Sequence, residues 1–183
     1  MAQSQRSARF AKVDPVLDAA TFVIFPTLMA FAAFSDLFTM TISNRVSILL
    51  VAAFVALGLA IGLPPETIGW HLSCGAAILC ITFTLFAFGW IGGGDAKLAA
   101  ATAVWLGWGH VLDYGFASSI LGGVLTVGFI AARKWPLPKD LLAREWIARL
   151  YNNSNGVPYG IALAAAGVLV YPDTAVWLSA VVR

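Results

Sequence analysis

Apolar residues fall in long runs along this chain, separated by short polar connections. Val16 to Phe34, Val46 to Leu63, Ile68 to Gly89 and Tyr114 to Ala132 each approach the roughly 20 residues that a helix needs to cross a bilayer. Pro26 is expected to bend or loosen the first run, and Pro64-Pro65 breaks the chain between the second and third. A further run, Ala96 to Trp108, is short. At about 1.5 Å per residue it spans roughly 20 Å, against about 30 Å of hydrocarbon. Either it starts below the membrane surface, which puts Asp95 within the bilayer's edge, or it continues through His110 and Leu112. A last helix starts near Gly156-Val157-Pro158-Tyr159-Gly160 and runs past Tyr171, where Pro172-Asp173 ends or kinks it. The pattern predicts an all-α integral membrane protein with about six transmembrane helices, in a single domain over residues 1–183.

The longest polar connection, Arg133 to Asn155, holds Leu142, Trp146 and Leu150 at helical spacing beside Arg144 and Arg149. That pattern predicts a helix lying in the membrane interface, between the fifth and sixth spans. Asn152-Asn153-Ser154 matches a glycosylation sequon, but the loop reads as cytoplasmic. The second and third runs form a hairpin, so the chain returns to the face it left. Asp36, just past the first run, and Asp95, just before the fourth, therefore lie on one side of the membrane. That face carries seven basic residues: Arg45, Lys97, Arg133, Lys134, Lys139, Arg144 and Arg149. The other has four, Arg6, Arg9, Lys12 and Arg183. The excess predicts that the two aspartates face the cytoplasm.

Composition agrees with the hydropathy pattern. Of 183 residues, 60% are hydrophobic and 11% charged, with mean hydropathy +0.86, which excludes an ordinary soluble globular domain. A net charge of +2 gives no ground for a nucleic-acid partner. The stretch Met1 to Lys12 could pass for the basic region of a signal peptide. The run that follows is long for one and carries Asp18 and Pro26, so it reads as a retained helix. Cys74 and Cys80 share one apolar run without a CxxC pair or a Cys/His cluster, and read as small packing residues. No metal or cofactor is expected.

The candidate chemistry gathers at Gly92-Gly93-Gly94-Asp95-Ala96-Lys97-Leu98. A charge inserted in hydrocarbon costs about 2.5–3.5 kcal/mol, so an acid between two apolar runs is a candidate functional group. Its plainer role is to cap the helix that follows a glycine turn. The three glycines leave a bare backbone that another chain can approach. Asp36 sits at the C-terminus of its run, where the helix dipole disfavours an acid. Two carboxylates within reach of one another can share a proton and activate water against a carbonyl, with no metal or nucleophilic side chain. Gly-x-Ser-x-Gly and His-Glu-x-x-His are absent, and His71 and His110 fall on the opposite face. Asn44 either orients Asp36 or forms the turn. Lys97 either snorkels to lipid phosphates or stabilises nearby charge.

These residues resemble the bacterial type IV prepilin peptidases, membrane aspartyl proteases with a Gly-x-Gly-Asp motif. Asp36 with Ile42-x-Asn44 looks like the first-aspartate segment. Gly92-Gly93-Gly94-Asp95-x-Lys97-Leu98 looks like the second, and Val157-Pro158-Tyr159-Gly160 with Ala162 is similar to the late helix motif. The resemblance implies a multi-pass protein of the bacterial inner membrane that removes the short basic leader of prepilins or pseudopilins at the cytoplasmic face. Asp36 and Asp95 would be its catalytic pair. Asn44, Gly92, Gly93, Gly94, Lys97, Pro158 and Tyr159 would bind substrate or support the site. Partners would be the transmembrane prepilin, the lipid bilayer and pilus assembly machinery. The chain lacks the paired CxxC motifs of the larger members and looks like the small tight-adherence (Flp) branch, which implies peptidase activity without methyltransferase activity. Two other classes compete. An ion- or proton-coupled transporter would place acids near mid-membrane, and a scaffold of a secretion machine would tolerate Asn at both aspartates.

Overall fold

The computed structural model describes residues 15–152 and 155–181. Arg6, Arg9, Lys12, the sequon positions Asn153 and Ser154, and Arg183 lie outside them. All regular structure among the described residues is helical: α1 (Pro15–Thr39), α2 (Asn44–Ala60), α3 (Pro65–Ala87), α4 (Gly93–Ala132), α5 (Lys139–Leu142), α6 (Glu145–Tyr151), α7 (Gly160–Val170) and α8 (Ala175–Val181), with a 3₁₀ turn over Tyr171–Asp173. Three helices, α1, α3 and α4, are long and apolar enough to cross a membrane, and four spans result if the bent α7–α8 pair counts as one. This is an all-α membrane protein.

Helix α4 is the centre of the bundle. Its start, from Ala96 to Gly107, is buried at every position except Lys97. Ala96, Ala99, Ala100, Ala101 and Ala103 make that segment thin, so α2, α3 and α7 can all close on it; small side chains serve this role where hydrocarbon gives helices little hydrophobic reason to associate. Around it packs a ring of aromatic side chains. Phe25 lies 4.5 Å from Tyr171 and 5.1 Å from Trp105, centroid to centroid. Trp105 Nε1 donates to the Leu50 carbonyl at 2.9 Å, and the Tyr171 hydroxyl to the Thr21 carbonyl at 2.8 Å. These bonds satisfy buried polar atoms while tying α4 to α2 and the 3₁₀ turn to α1.

Straight, the 40 residues of α4 would reach about 60 Å. They do not run straight. Gly107 has φ 67° and ψ −178°, a conformation essentially confined to glycine. It lies against the His71 ring near the start of α3, whereas Arg133 at the far end of α4 donates to the Gly156 carbonyl. Gly156 lines the same cavity as Asp95, so the chain reverses at Gly107. The short fourth run therefore stays short and does not continue straight through His110 and Leu112. It begins at Gly93 and breaks after Leu106, leaving the residues through His110 and Leu112 to the returning segment.

Other boundaries differ as well. Helix α1 runs unbroken through Pro26 and on to Thr39, so Asp36 lies inside a helix and not in the connection. Hydropathy falls at Ser35-Asp36, but backbone hydrogen bonding continues one turn further. Helix α3 starts on Pro65, the first helical position, where proline's missing N–H costs nothing. The triple glycine opens α4, with Gly92 as its N-cap. The single interfacial helix expected between the fifth and sixth spans is two short helices, α5 and α6, divided at Arg144, the extended N-cap of α6. The last helix starts at Gly160, and the chain bends by 52° past Pro172 and Asp173.

Candidate active site

The C-terminal turn of α1, the first turn of α4 and the N-terminus of α7 meet at one end of the bundle, around a cavity of about 650 Å³. Asp36 and Asp95 both line it, together with Ile42, Gly92, Gly93, Gly94 and Tyr159. The hairpin argument from sequence therefore holds: the two acids meet on one face.

Each carboxylate is held differently. Asp36 is 5% exposed, and its Oδ2 accepts the Gly160 N–H at 2.7 Å. Gly160 is the first residue of α7, whose leading N–H groups have no carbonyl a turn behind them. A Cβ at Gly160 would sit 2.8 Å from Asp36 Oδ2, 3.1 Å from Asp36 Cβ and 2.7 Å from Ile42 Cδ1, so a side chain there would push the carboxylate and the Ile42 tip aside. Asp95 is the third residue of α4, and its carboxylate folds back over Gly92, where a Cβ would lie 2.9 Å from its Oδ2. That is the position of the acid in a capping box. Capping and cavity lining therefore coexist at Asp95, which is neither the N-cap itself nor a loop residue. Gly94 closes on Ile42, where a Cβ would come within 3.2 Å of the Ile42 Cβ. Ile42 is thus wedged between the starts of α4 and α7.

The wall of the cavity comes from the segment after α4. Arg133 donates to the carbonyls of Leu150 and Gly156, both at 2.8 Å. Asn155 Nδ2 donates to the Arg149 carbonyl at 2.9 Å. Arg149 reaches over to the Phe38 carbonyl at 3.2 Å and places a cation on a cavity with two acids. Tyr159 donates its hydroxyl to the Ser118 carbonyl at 3.0 Å, and its ring fills the space left by the missing side chain of Gly122. Burial, and then the nearby Asp95 carboxylate, hold its phenol above the ordinary tyrosine range, so it stays neutral. Met40 turns the chain at the cavity's edge in a left-handed conformation, φ 53°.

The remaining expected residues lie elsewhere. Asn44 does not orient Asp36: its Oδ1 accepts Lys97 Nζ at 2.8 Å, outside this cavity. Pro158 is buried beside Tyr159. His71 donates to the Val104 carbonyl at 2.8 Å, and His110 lies 3.7 Å from Asp113; neither lines the cavity. Among the described residues no group of three His, Cys, Asp or Glu could hold a metal. Arg149, Asn155, Gly156 and the bond from Gly160 escaped the sequence reading: Arg149 and Gly160 act on the end of α1, 111 and 124 residues away, and Asn155 and Gly156 reach the cavity only through the fold of the segment after α4.

The family model of the type IV leader peptidases matches residues 23–127, which include Asp36 and Asp95 but not Tyr159 or Gly160. No curated protein and no solved structure matches the chain. The match covers more than half of the sequence and agrees with a helical membrane protein that brings two acids to one cavity; the chain belongs to the type IV leader peptidase family, and so to the proteases.

Proposed function

We propose that this protein is an aspartic endopeptidase of the bacterial inner membrane that removes the short basic leader of prepilin-like substrates at the cytoplasmic face. One observation carries the reading: carboxylates from two separate helices line a single cavity. In this scheme Asp36 and Asp95 hold one proton between them, because two neighbouring carboxylates resist joint ionisation. The ionised member takes a proton from water while the protonated member polarises the scissile carbonyl. Water adds to the carbonyl carbon, and the tetrahedral intermediate collapses as the leaving amine gains a proton.

A prepilin enters as a helix, so its backbone must unwind before a carbonyl is exposed. Gly93 and Gly94 are the first two helical residues of α4, where N–H groups lack intrahelical acceptors. Both line the cavity. They supply donors for the unwound segment, with no side chain in the way. The excess of basic residues on the face of the two acids supports a cytoplasmic site. In this reading α1, α2, α3, both segments of α4 and the α7–α8 pair all cross the bilayer, which makes six spans. The test is co-expression of a candidate prepilin with the wild type, Asp36→Asn or Asp95→Asn, followed by substrate size on a gel. Only the wild type is expected to shorten the prepilin, with all three proteins at equal membrane levels. A variant that cuts at the wild-type rate removes its aspartate from the mechanism. A wild type that leaves prepilins uncut returns the transporter to consideration.

A further inference from the structure

A second cavity, about 950 Å³, lies between α2, α3 and α4. It is lined almost wholly by apolar and small residues, among them Ile48, Val51, Leu79, Phe83 and Ala101. Ile48, Leu79 and Phe83 are exposed on the outer surface, and two of the three helices around the groove, α3 and α4, are long and apolar enough to cross a membrane, so the groove opens sideways to hydrocarbon. Its few polar residues cluster at the end nearer the candidate active site. There Lys97 and Asn44 form their 2.8 Å hydrogen bond, and Ser47 lies one turn further along α2. The Ser47 hydroxyl oxygen is buried without a hydrogen-bond partner. Lys97 has no carboxylate partner among the described residues, only the neutral Asn44 amide.

The geometry points to a site for one anionic phospholipid: its phosphate on Lys97, its headgroup or ester oxygens on Asn44 and Ser47, and an acyl chain along the groove. Charge supports this occupant, since an ammonium beside a neutral amide lacks an anion. Length supports it too. The lining of α3 runs from Leu72 to Phe83, on the order of 15 Å at the rise of a helix. That is the depth of one leaflet, half of roughly 30 Å. A transmembrane helix from another protein would need a groove through both leaflets. Lys97, Ala100, Ala101 and Val104 all belong to α4, so a bound lipid would brace the turn that carries Asp95.

The test is native mass spectrometry of the purified full chain in detergent, titrated with phosphatidylglycerol or phosphatidylcholine. Tight retention of one phosphatidylglycerol is expected, about fivefold above phosphatidylcholine, the worth of one basic residue at an anionic surface. Lys97→Gln should abolish that preference, and Lys97→Arg should keep it. Ala76→Phe, which fills the groove from an exposed position on α3, should weaken retention of both lipids. Equal retention of the two lipids by the wild type, or an unchanged preference in Lys97→Gln, would overturn the assignment. Displacement of the lipid by a prepilin transmembrane peptide would make the groove a helix-docking site instead. The readout is binding, so it stands whether or not the chain cleaves prepilins.

Discussion

The two aspartates face the same cavity but are supported in opposite ways. Asp95 is held within its own turn, folded back over Gly92 three residues earlier. Asp36 sits at the end of α1, where a helix offers an acid only carbonyls, and takes its donor from Gly160 at the start of α7. One carboxylate is placed by local structure, and the other by the packing of the whole bundle. Anything that shifts α7 against α1 should therefore disturb Asp36 first, while Asp95 depends only on the first turn of α4.

Gly160→Val tests the long-range half and should have the largest effect. The new side chain meets Asp36 and Ile42, and the displaced N–H releases the carboxylate. A misplacement of about 1 Å can cost ~10²-fold in rate, so prepilin processing is expected to fall by about that factor while membrane levels persist. Wild-type processing would show that the Gly160 bond does not position Asp36.

Gly107→Ala tests the far end of the bundle. A side chain there meets His71 and is forced into a conformation only glycine adopts freely. The cost is about 1–3 kcal/mol, read as a lower melting temperature in detergent. Activity per folded molecule should be unchanged, because Gly107 is remote from the cavity; an unchanged melting temperature would contradict the reversal at this residue. Gly92→Ala tests the local half and should matter least. Its Cβ would meet only Asp95 Oδ2, at 2.9 Å, a side-chain tip that can turn away. Processing should fall less than about tenfold, in line with a weakened hydrogen bond of roughly 1 kcal/mol. A larger loss than in Gly160→Val would invert the comparison.

The same division explains what could be read from the sequence. The support of Asp95 lies within seven consecutive residues, and both the triple glycine and the acid stood out between apolar runs. That the two acids share a face followed from counting hairpins. The Gly160 donor could not be read that way, since no local pattern states which helix N-terminus meets the end of α1. Arg149 counted only as one more basic residue until α6 set it on the Phe38 carbonyl. The end of α1 was misplaced because hydropathy marks where hydrocarbon stops, and a helix need not stop there. For Asn44 the sequence left open a bond to Asp36 or a role in the turn, and neither anticipated Lys97, which the bundle brings to it.

The most direct test of the paired carboxylates is a double-mutant comparison in one prepilin-processing assay: Asp36→Asn, Asp95→Asn and both together. Groups that act as a unit are grossly non-additive. Each single variant is expected to lose at least about 10³-fold, within the range general acid–base groups supply, and the double variant no more than either. Two partial losses that multiply in the double variant, or near wild-type processing in either single variant, would contradict a shared-proton pair.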